Sequence, residues 1–174
     1  RTAAKQKADM VANKIGYPDK WRDYSALKLV PGDYFANAVA VGNFEFNRAM
    51  VKIGQPVDKT EWGLTPPTVN AYYNPLNNEM AFPAGIMQAP FFDRDFSAAM
   101  NYGGMGMVMG HELTHGFDDD GRKFAGDGQL REWWAPEVAE RYESRAQCVR
   151  TLYSSYQVQP GLVLNGNLTS GENI

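Results

Sequence analysis

The chain has few of the residues that usually carry chemistry: among 174 residues there is one cysteine, Cys148, and two histidines, His111 and His115. A lone thiol cannot close an internal disulfide, so the core rather than covalent staples has to hold the fold. Cys148 is then either a small buried hydrophobe or half of a bridge to a segment outside the chain. Positive charge is also scarce: 17 Lys and Arg against 20 Asp and Glu give a net charge of -3, with no basic run. Nucleic acid and anionic membrane surfaces therefore have little to bind. No stretch approaches the roughly 18 apolar residues of a spanning helix, so no membrane contact is expected within this segment. There is no initiator Met, no signal-like start and no internal repeat. Together with the abrupt polar end "NGNLTSGENI", this leads us to expect a piece of a longer polypeptide whose N- and C-terminal parts are missing.

What is present suits a globular domain with a sizeable core, at 44% hydrophobic and 13% aromatic residues. Residues 2–14 read as a helix broken by Gly16 and Pro18. Asp33 is a good N-cap for a second helix running to Gly54, with Tyr34, Ala38, Val41, Phe44 and Val51 as its apolar stripe and Arg48 interrupting it. "NPLNN" at 74–78 suggests a hairpin of strands 68–73 and 79–83, with Pro83 at a sheet edge. Residues 97–117 should form a central helix capped near Ser97. Its glycines are tolerable only if it packs tightly, and its apolar flank suggests burial. "AGDG" at 125–128 is a turn, and Pro136 opens a last helix carrying Val138, Tyr142, Val149, Leu152 and Tyr156. The expected fold class is α+β, mostly helical with a small β-sheet.

Both histidines lie in "GHELTHGF". Two histidines placed at random would fall four apart only about once in ninety chains of this length, and H-E-x-x-H also requires Glu112. On a helix, His111 and His115 share one face and can aim ring nitrogens at one ion, about 2.0–2.1 Å away for zinc. Glu112 points beside that ion, where a carboxylate suits a general base drawing a proton from zinc-bound water. A catalytic zinc usually takes three protein ligands. Cys148 is chemically able to be the third, but a carboxylate is the more usual choice. Asp118, Asp119 and Asp120 follow too closely to reach the same ion and suit orienting a ligand imidazole through its other N–H.

The segments "VNAYYN", "FPAGIMQAPFF", "NYGGMGMVMGHELTHGFDDDGRKF", "GDGQLREWW" and "GENI" together resemble the neprilysin family of zinc metallopeptidases, in order from about "KIGYPD" onward. The resemblance implies a zincin-like catalytic core, incomplete here, with one Zn2+ per chain. Family members take their third zinc ligand from the Glu of an "ENIAD" segment, which matches Glu172, 57 residues after His115. The first Asp after "HGF" orients a ligand histidine, which maps to Asp118. The "NA" of "VNAYY", here Asn70 and Ala71, binds the substrate backbone as an added strand. A pocket for a hydrophobic side chain maps to Ile86, Phe91, Met107 and Val108. In animal relatives a cysteine near Cys148 pairs with one close to the C-terminus, which would imply an oxidising compartment.

The expected function is a zinc endopeptidase that hydrolyses oligopeptides on the amino side of hydrophobic residues, by Glu112-assisted attack of zinc-bound water. The rival is a non-catalytic, metal-containing peptide-binding module. Residues 1–61 are expected to form a helical segment preceding a catalytic core over 62–174. The family's downstream His and Arg lie outside the chain, so the piece alone should be weakly active or inactive. An exported location is expected, periplasmic, extracellular or as an ectodomain, with the cytoplasm as the alternative.

Overall fold

The computed structural model describes residues 2–173. The run of turn formers at 74–78 reverses the chain between β2 (Tyr72–Asn74) and β3 (Glu79–Pro83), which pair antiparallel with Tyr72 opposite Ala81 and Asn74 opposite Glu79. Asn78 closes the turn at φ 49°, a left-handed conformation that asparagine tolerates better than most residues. Its buried side chain accepts from the Tyr73 hydroxyl at 2.7 Å and donates to the Lys7 and Gly126 carbonyls at 3.2 and 3.0 Å.

β1 (Ala12–Gly16) lies parallel along the other side of β3, from Ala12 opposite Glu79 to Gly16 opposite Pro83. The order β1-β3-β2 makes β3 the central strand, and all five of its residues are buried. This corrects two expectations. Pro83 does not mark an edge; it is the last residue of the central strand, where no further ladder bond is needed. The helix expected over 2–14 is only α1 (Thr2–Asp9), because residues 12–16 pair with β3 and Lys14 reaches the buried Glu79 carboxylate at 2.8 Å. Weak local helix preference yields to a sheet edge that satisfies the backbone.

The central helix is present but interrupted: α3 (Ala98–Asn101), a π-helical turn (Tyr102–Gly106), then α4 (Met107–His115). Ser97 caps it, its hydroxyl accepting from the Met100 N–H at 3.3 Å. A Cβ on Gly104 would stand 2.2 Å from the Phe91 carbonyl oxygen, and that same oxygen accepts from the Met105 N–H at 2.8 Å. Glycine lets the preceding segment press against the helix here, and the wide turn directs an N–H outward to meet it. Only Met105, Val108 and Glu112 are buried between Tyr102 and His115, so the helix is buried along one face rather than all round.

α5 (Pro136–Ser154) starts with Pro136 at its first turn. A small hairpin that the sequence reading did not anticipate follows it, β4 (Gln157–Gln159) with β5 (Leu162–Val163), turning through Gly161 at φ 80°. Cys148 on α5 is exposed, which removes the buried-hydrophobe reading. The fold is α+β, mostly helical with small sheets, and no described helix is long and apolar enough to cross a membrane.

The chain divides into two compact units, residues 2–17 with 64–173, and residues 18–63. They do not coincide with the expected segments 1–61 and 62–174, because β1 carries the N-terminal residues into the sheet. Within the 18–63 unit Asp33 caps α2 (Tyr34–Met50) as expected, accepting from the Ala36 N–H at 3.0 Å. Arg48 has partners in Glu45 and Glu61, each at 2.8 Å. No residue of this unit is buried, so the apolar stripe containing Tyr34, Val41 and Val51 is not core within the described residues.

Lys7 of α1 is 2% exposed, and its Nζ donates to the carbonyls of Gly116, Gly121 and Phe124 at 2.5, 2.8 and 2.7 Å. The rings of Tyr73, Phe117 and Trp133 stand 5.4–5.8 Å from it. Burial pushes its pKa down to about 8, with Asp118 working in the opposite direction. The ammonium sits just beyond the C-terminus of α4, where unpaired carbonyls and the helix dipole favour a cation. Lys7→Met keeps the apolar stem but strands two acceptors, the carbonyls of Gly116 and Phe124, each costing about 1–3 kcal/mol if left unpaired, while the Gly121 carbonyl keeps the Phe124 N–H at 3.1 Å. Urea unfolding should therefore show a loss of at least about 2 kcal/mol; a loss below about 1 kcal/mol would contradict this role.

Candidate metal centre

The site grows from the end of α4. Four-residue spacing places His111 and His115 one turn apart, with ring centroids 4.4 Å from each other and Nε2 atoms 3.0 Å apart. The chain then turns through Gly116 and Phe117 to Asp118, whose Oδ2 lies 2.8 Å from the His115 Nδ1. The other Asp118 oxygen accepts the N–H groups of Asp120 at 2.9 Å and Gly121 at 2.6 Å. Burial works to raise the Asp118 pKa, but these hydrogen bonds outweigh it and hold the carboxyl below its ordinary value. An ionised Asp118 can only accept, so Nδ1 of His115 carries a proton and Nε2 is the nitrogen that faces the site. The same Asp118 hydrogen bond raises the His115 pKa against the effect of burial.

Gly121 makes this turn possible: a Cβ there would fall 1.8 Å from the His115 carbonyl oxygen. Gly171 lets the distant C-terminal segment approach, since its Cβ would stand 3.1 Å from Asp118 Oδ2 and 3.2 Å from Asp119 Oδ1. That segment is a 3-10 turn, Ser170–Asn173, and it carries Glu172. The Glu172 Oε2 lies 3.4 Å from His111 Nε2 and 3.8 Å from His115 Nε2. Among the described residues, His111, His115 and Glu172 form a group with ligand-capable atoms all within 4.8 Å of one another.

Whether these donors fit an ion can be tested from the spacing. Ligands about 2.0–2.1 Å from a tetrahedral zinc stand roughly 3.3 Å apart along each edge. The observed separations, 3.0, 3.4 and 3.8 Å, bracket that edge. Two imidazole nitrogens and a carboxylate oxygen are also a donor set that zinc accepts, with a fourth position left over. The residues fit the metal.

Glu112 is buried beside this group. It lies between the histidines and β2, where the Tyr73 N–H faces its carboxylate. Burial raises its pKa most; His115, His111 and the Tyr73 N–H oppose that rise, while Glu172 adds to it, and the net direction is upward. A buried carboxylate with raised proton affinity is suited to taking and returning a proton near neutral pH.

A cavity of about 480 Å³ opens between the strand and the helix, lined by Asn70, Ala71, Tyr72 and Tyr73 on one side and His111, Glu112, His115, Asp118 and Glu172 on the other. The structure thus brings together the two histidines, Glu112, Glu172, Asp118, Asn70 and Ala71. Ile86 and Val108 lie in the hydrophobic core with Ala71 and Phe82, Phe91 packs against that core, and Met107 is exposed; none of these four lines the cavity. Sequence reasoning missed Tyr73, which acts through a backbone N–H, and Lys7, whose partners are all carbonyls more than 100 residues away. Neither interaction leaves a trace in residue spacing.

Residues 70–174 match the family described as Peptidase family M13. The whole chain aligns at 47% identity with an endothelin-converting enzyme homolog of Locusta migratoria, at 43% with neprilysin-3 of Drosophila melanogaster and at 45% with endothelin-converting enzyme 1 of Homo sapiens. It spans 23–25% of the length of these curated relatives. The Mycobacterium tuberculosis zinc metalloprotease Zmp1, solved with an inhibitor, superposes on 98% of the chain with a TM-score of 0.94 at 42% identity, 27% of its own length being covered. PepO of Lactobacillus rhamnosis superposes on 99% with a TM-score of 0.87 at 31% identity, 28% of its length being covered. A donor set that fits zinc, the buried Glu112 beside it and a family match over most of the chain agree: this chain belongs to peptidase family M13, the neprilysin family.

Proposed function

We propose that this chain is the metal-bearing part of a zinc-dependent endopeptidase that cleaves oligopeptides. The observation that carries the reading is the meeting of His111, His115 and Glu172 at ligand spacing beside Glu112. One zinc per chain would be held by His111 Nε2, His115 Nε2 and a Glu172 carboxylate oxygen, with Asp118 keeping His115 in the ligating tautomer. Bound there, the ion supplies Lewis acidity and lowers the pKa of a water toward about 7. Glu112 takes the proton from the attacking water on its carboxylate and returns it to the amine that leaves. The Tyr73 N–H, which faces that carboxylate, would favour its ionised form between the two transfers.

The peptide would add to the outer edge of β2. Alternation along a strand puts the Ala71 N–H on the same edge as that of Tyr73, and in the structure the Asn70 Oδ1 holds the Ala71 N–H at 2.9 Å. A substrate carbonyl would replace that oxygen on Ala71, and the displaced Asn70 carboxamide would then meet the peptide itself. Preference for a hydrophobic residue on the amine side is part of the same reading. Met107 lies one turn before His111 on the same helical face and is exposed, whereas Ile86, Phe91 and Val108 would back the pocket from the core.

Three substitutions test this in the protein that carries the chain. Glu112→Gln should leave zinc affinity within a few-fold of wild type while lowering peptide cleavage by about 10²–10⁴-fold. Cleavage by the variant at the wild-type rate would sink the mechanism, and zinc binding without cleavage by the wild-type protein would favour a metal-containing binding module. By zinc titration, Glu172→Gln should lose more affinity than the roughly 10–100-fold expected for Asp118→Asn, which removes only an outer partner. Unchanged affinity in Glu172→Gln would place the third ligand elsewhere.

A further inference from the structure

Glu172 reaches the metal centre from a turn 57 residues beyond His115, and its side chain is 70% exposed. Something has to fix that turn against the end of α4 if three donors are to meet within a few tenths of an ångström. Ser170, which opens the turn, is 2% exposed, and its hydroxyl accepts from the Arg150 Nε at 3.0 Å. Arg150 also donates through Nη1 to Glu143 Oε2 at 2.9 Å. The second oxygen of the same carboxylate, Glu143 Oε1, accepts from the Arg122 Nη2 at 2.6 Å. Arg122 in turn belongs to the loop built on Asp118: its N–H donates to the Asp118 carbonyl at 3.1 Å, and its own carbonyl accepts from the Trp133 indole at 2.7 Å.

These bonds form one continuous path from the histidine side of the site to the glutamate side. It runs from His115 to Asp118, along the backbone to Arg122, across Glu143 to Arg150, and then to Ser170 two residues before Glu172. The middle of the path sits on a rigid element, because Glu143 and Arg150 are seven residues apart on α5 and share a face. Both guanidinium groups are largely buried, with side chains 14% and 15% exposed. Arg122 is further held beside the rings of Trp134 and Tyr142, at 5.7 and 5.1 Å. One carboxylate taking two planar donors in this way fixes the distance between them as well as compensating their charge.

We infer that Glu143 is a positioning residue of the metal centre, whose carboxylate clamps Arg122 and Arg150 and so sets the place of Glu172 relative to His111 and His115. The inference rests on the zinc-site reading above. It separates Glu143 from a merely stabilising surface carboxylate, because its effect should travel through Glu172 and vanish when that ligand is gone.

The test is a double-mutant cycle read by zinc titration, with cobalt(II) absorption as a second report on coordination number. Glu143→Leu should weaken zinc binding about 10–100-fold, as loss of an outer partner does, and change the cobalt band intensity. In a Glu172→Gln background the same substitution should change affinity by less than about threefold. If Glu143→Leu loses its fold, Glu143→Gln, which keeps the volume and one acceptor, is read in its place, with a smaller loss expected in the same pattern. Equal losses in both backgrounds, or wild-type affinity in the single variant, would overturn the clamp while leaving the zinc reading intact. No zinc binding by the wild-type protein would overturn both.

Discussion

A single buried ammonium holds the architecture around the site together. Lys7 donates to three carbonyls that close the end of α4 and the loop after it. A helix ending inside a protein leaves several acceptors that water cannot reach, and those acceptors also carry the negative end of the helix dipole. Here a residue from the far N-terminal segment meets them. That segment is anchored in turn, because the Asn78 amide binds the Lys7 carbonyl and β1 adds to β3 five residues later. The ammonium costs desolvation, which its lowered pKa records, and three strong hydrogen bonds offset that cost.

The order of dependence then runs outward. The end of α4 fixes Asp118, and Asp118 with its two backbone N–H bonds selects the tautomer of His115. The tautomer aims Nε2 at His111 Nε2 and Glu172. Hydrogen bonds carry position from a lysine at residue 7 to the two histidines, and Glu172 meets those at ion-pair distance. Glycine appears where two segments approach too closely for a Cβ, at Gly104 and Gly121, and where the approach is tight, at Gly171. The glycine content that counts against a helix by propensity is what permits this packing.

How much of this could be read from the sequence depended on how local each interaction is. His111, Glu112 and His115 were legible because a helix maps spacing onto direction. Asp33, Ser97 and Pro136 were legible as helix starts, since capping chemistry lies within three residues. Glu172 came from family resemblance, as no rule of spacing spans 57 residues. Nothing in the spacing of Lys7, Arg122, Glu143 and Arg150 marks them; what distinguishes them is partners supplied by the fold. The failures have the same cause. Residues 12–16 became a strand because β3 offered an edge, and the stripe on α2 reads as core in a sequence whose described structure leaves it exposed.

Under the proposed function, the backbone of β2 serves both the base and the peptide. Its inner edge is paired to β3 in a register set by the Asn78 turn. Its outer edge turns the Tyr73 N–H toward Glu112 and, two residues earlier, carries the Ala71 N–H, which donates to the Asn70 Oδ1. Side chains and backbone groups alternate with a period of two, so a slip of one residue would misdirect both at once. Under the proposed function, the position of a substrate along β2 and the position of the base that attacks it are therefore a single variable. A peptide that pairs correctly with Ala71 is placed relative to Glu112 by the same hydrogen-bond ladder, and that coupling requires no contact with its side chains.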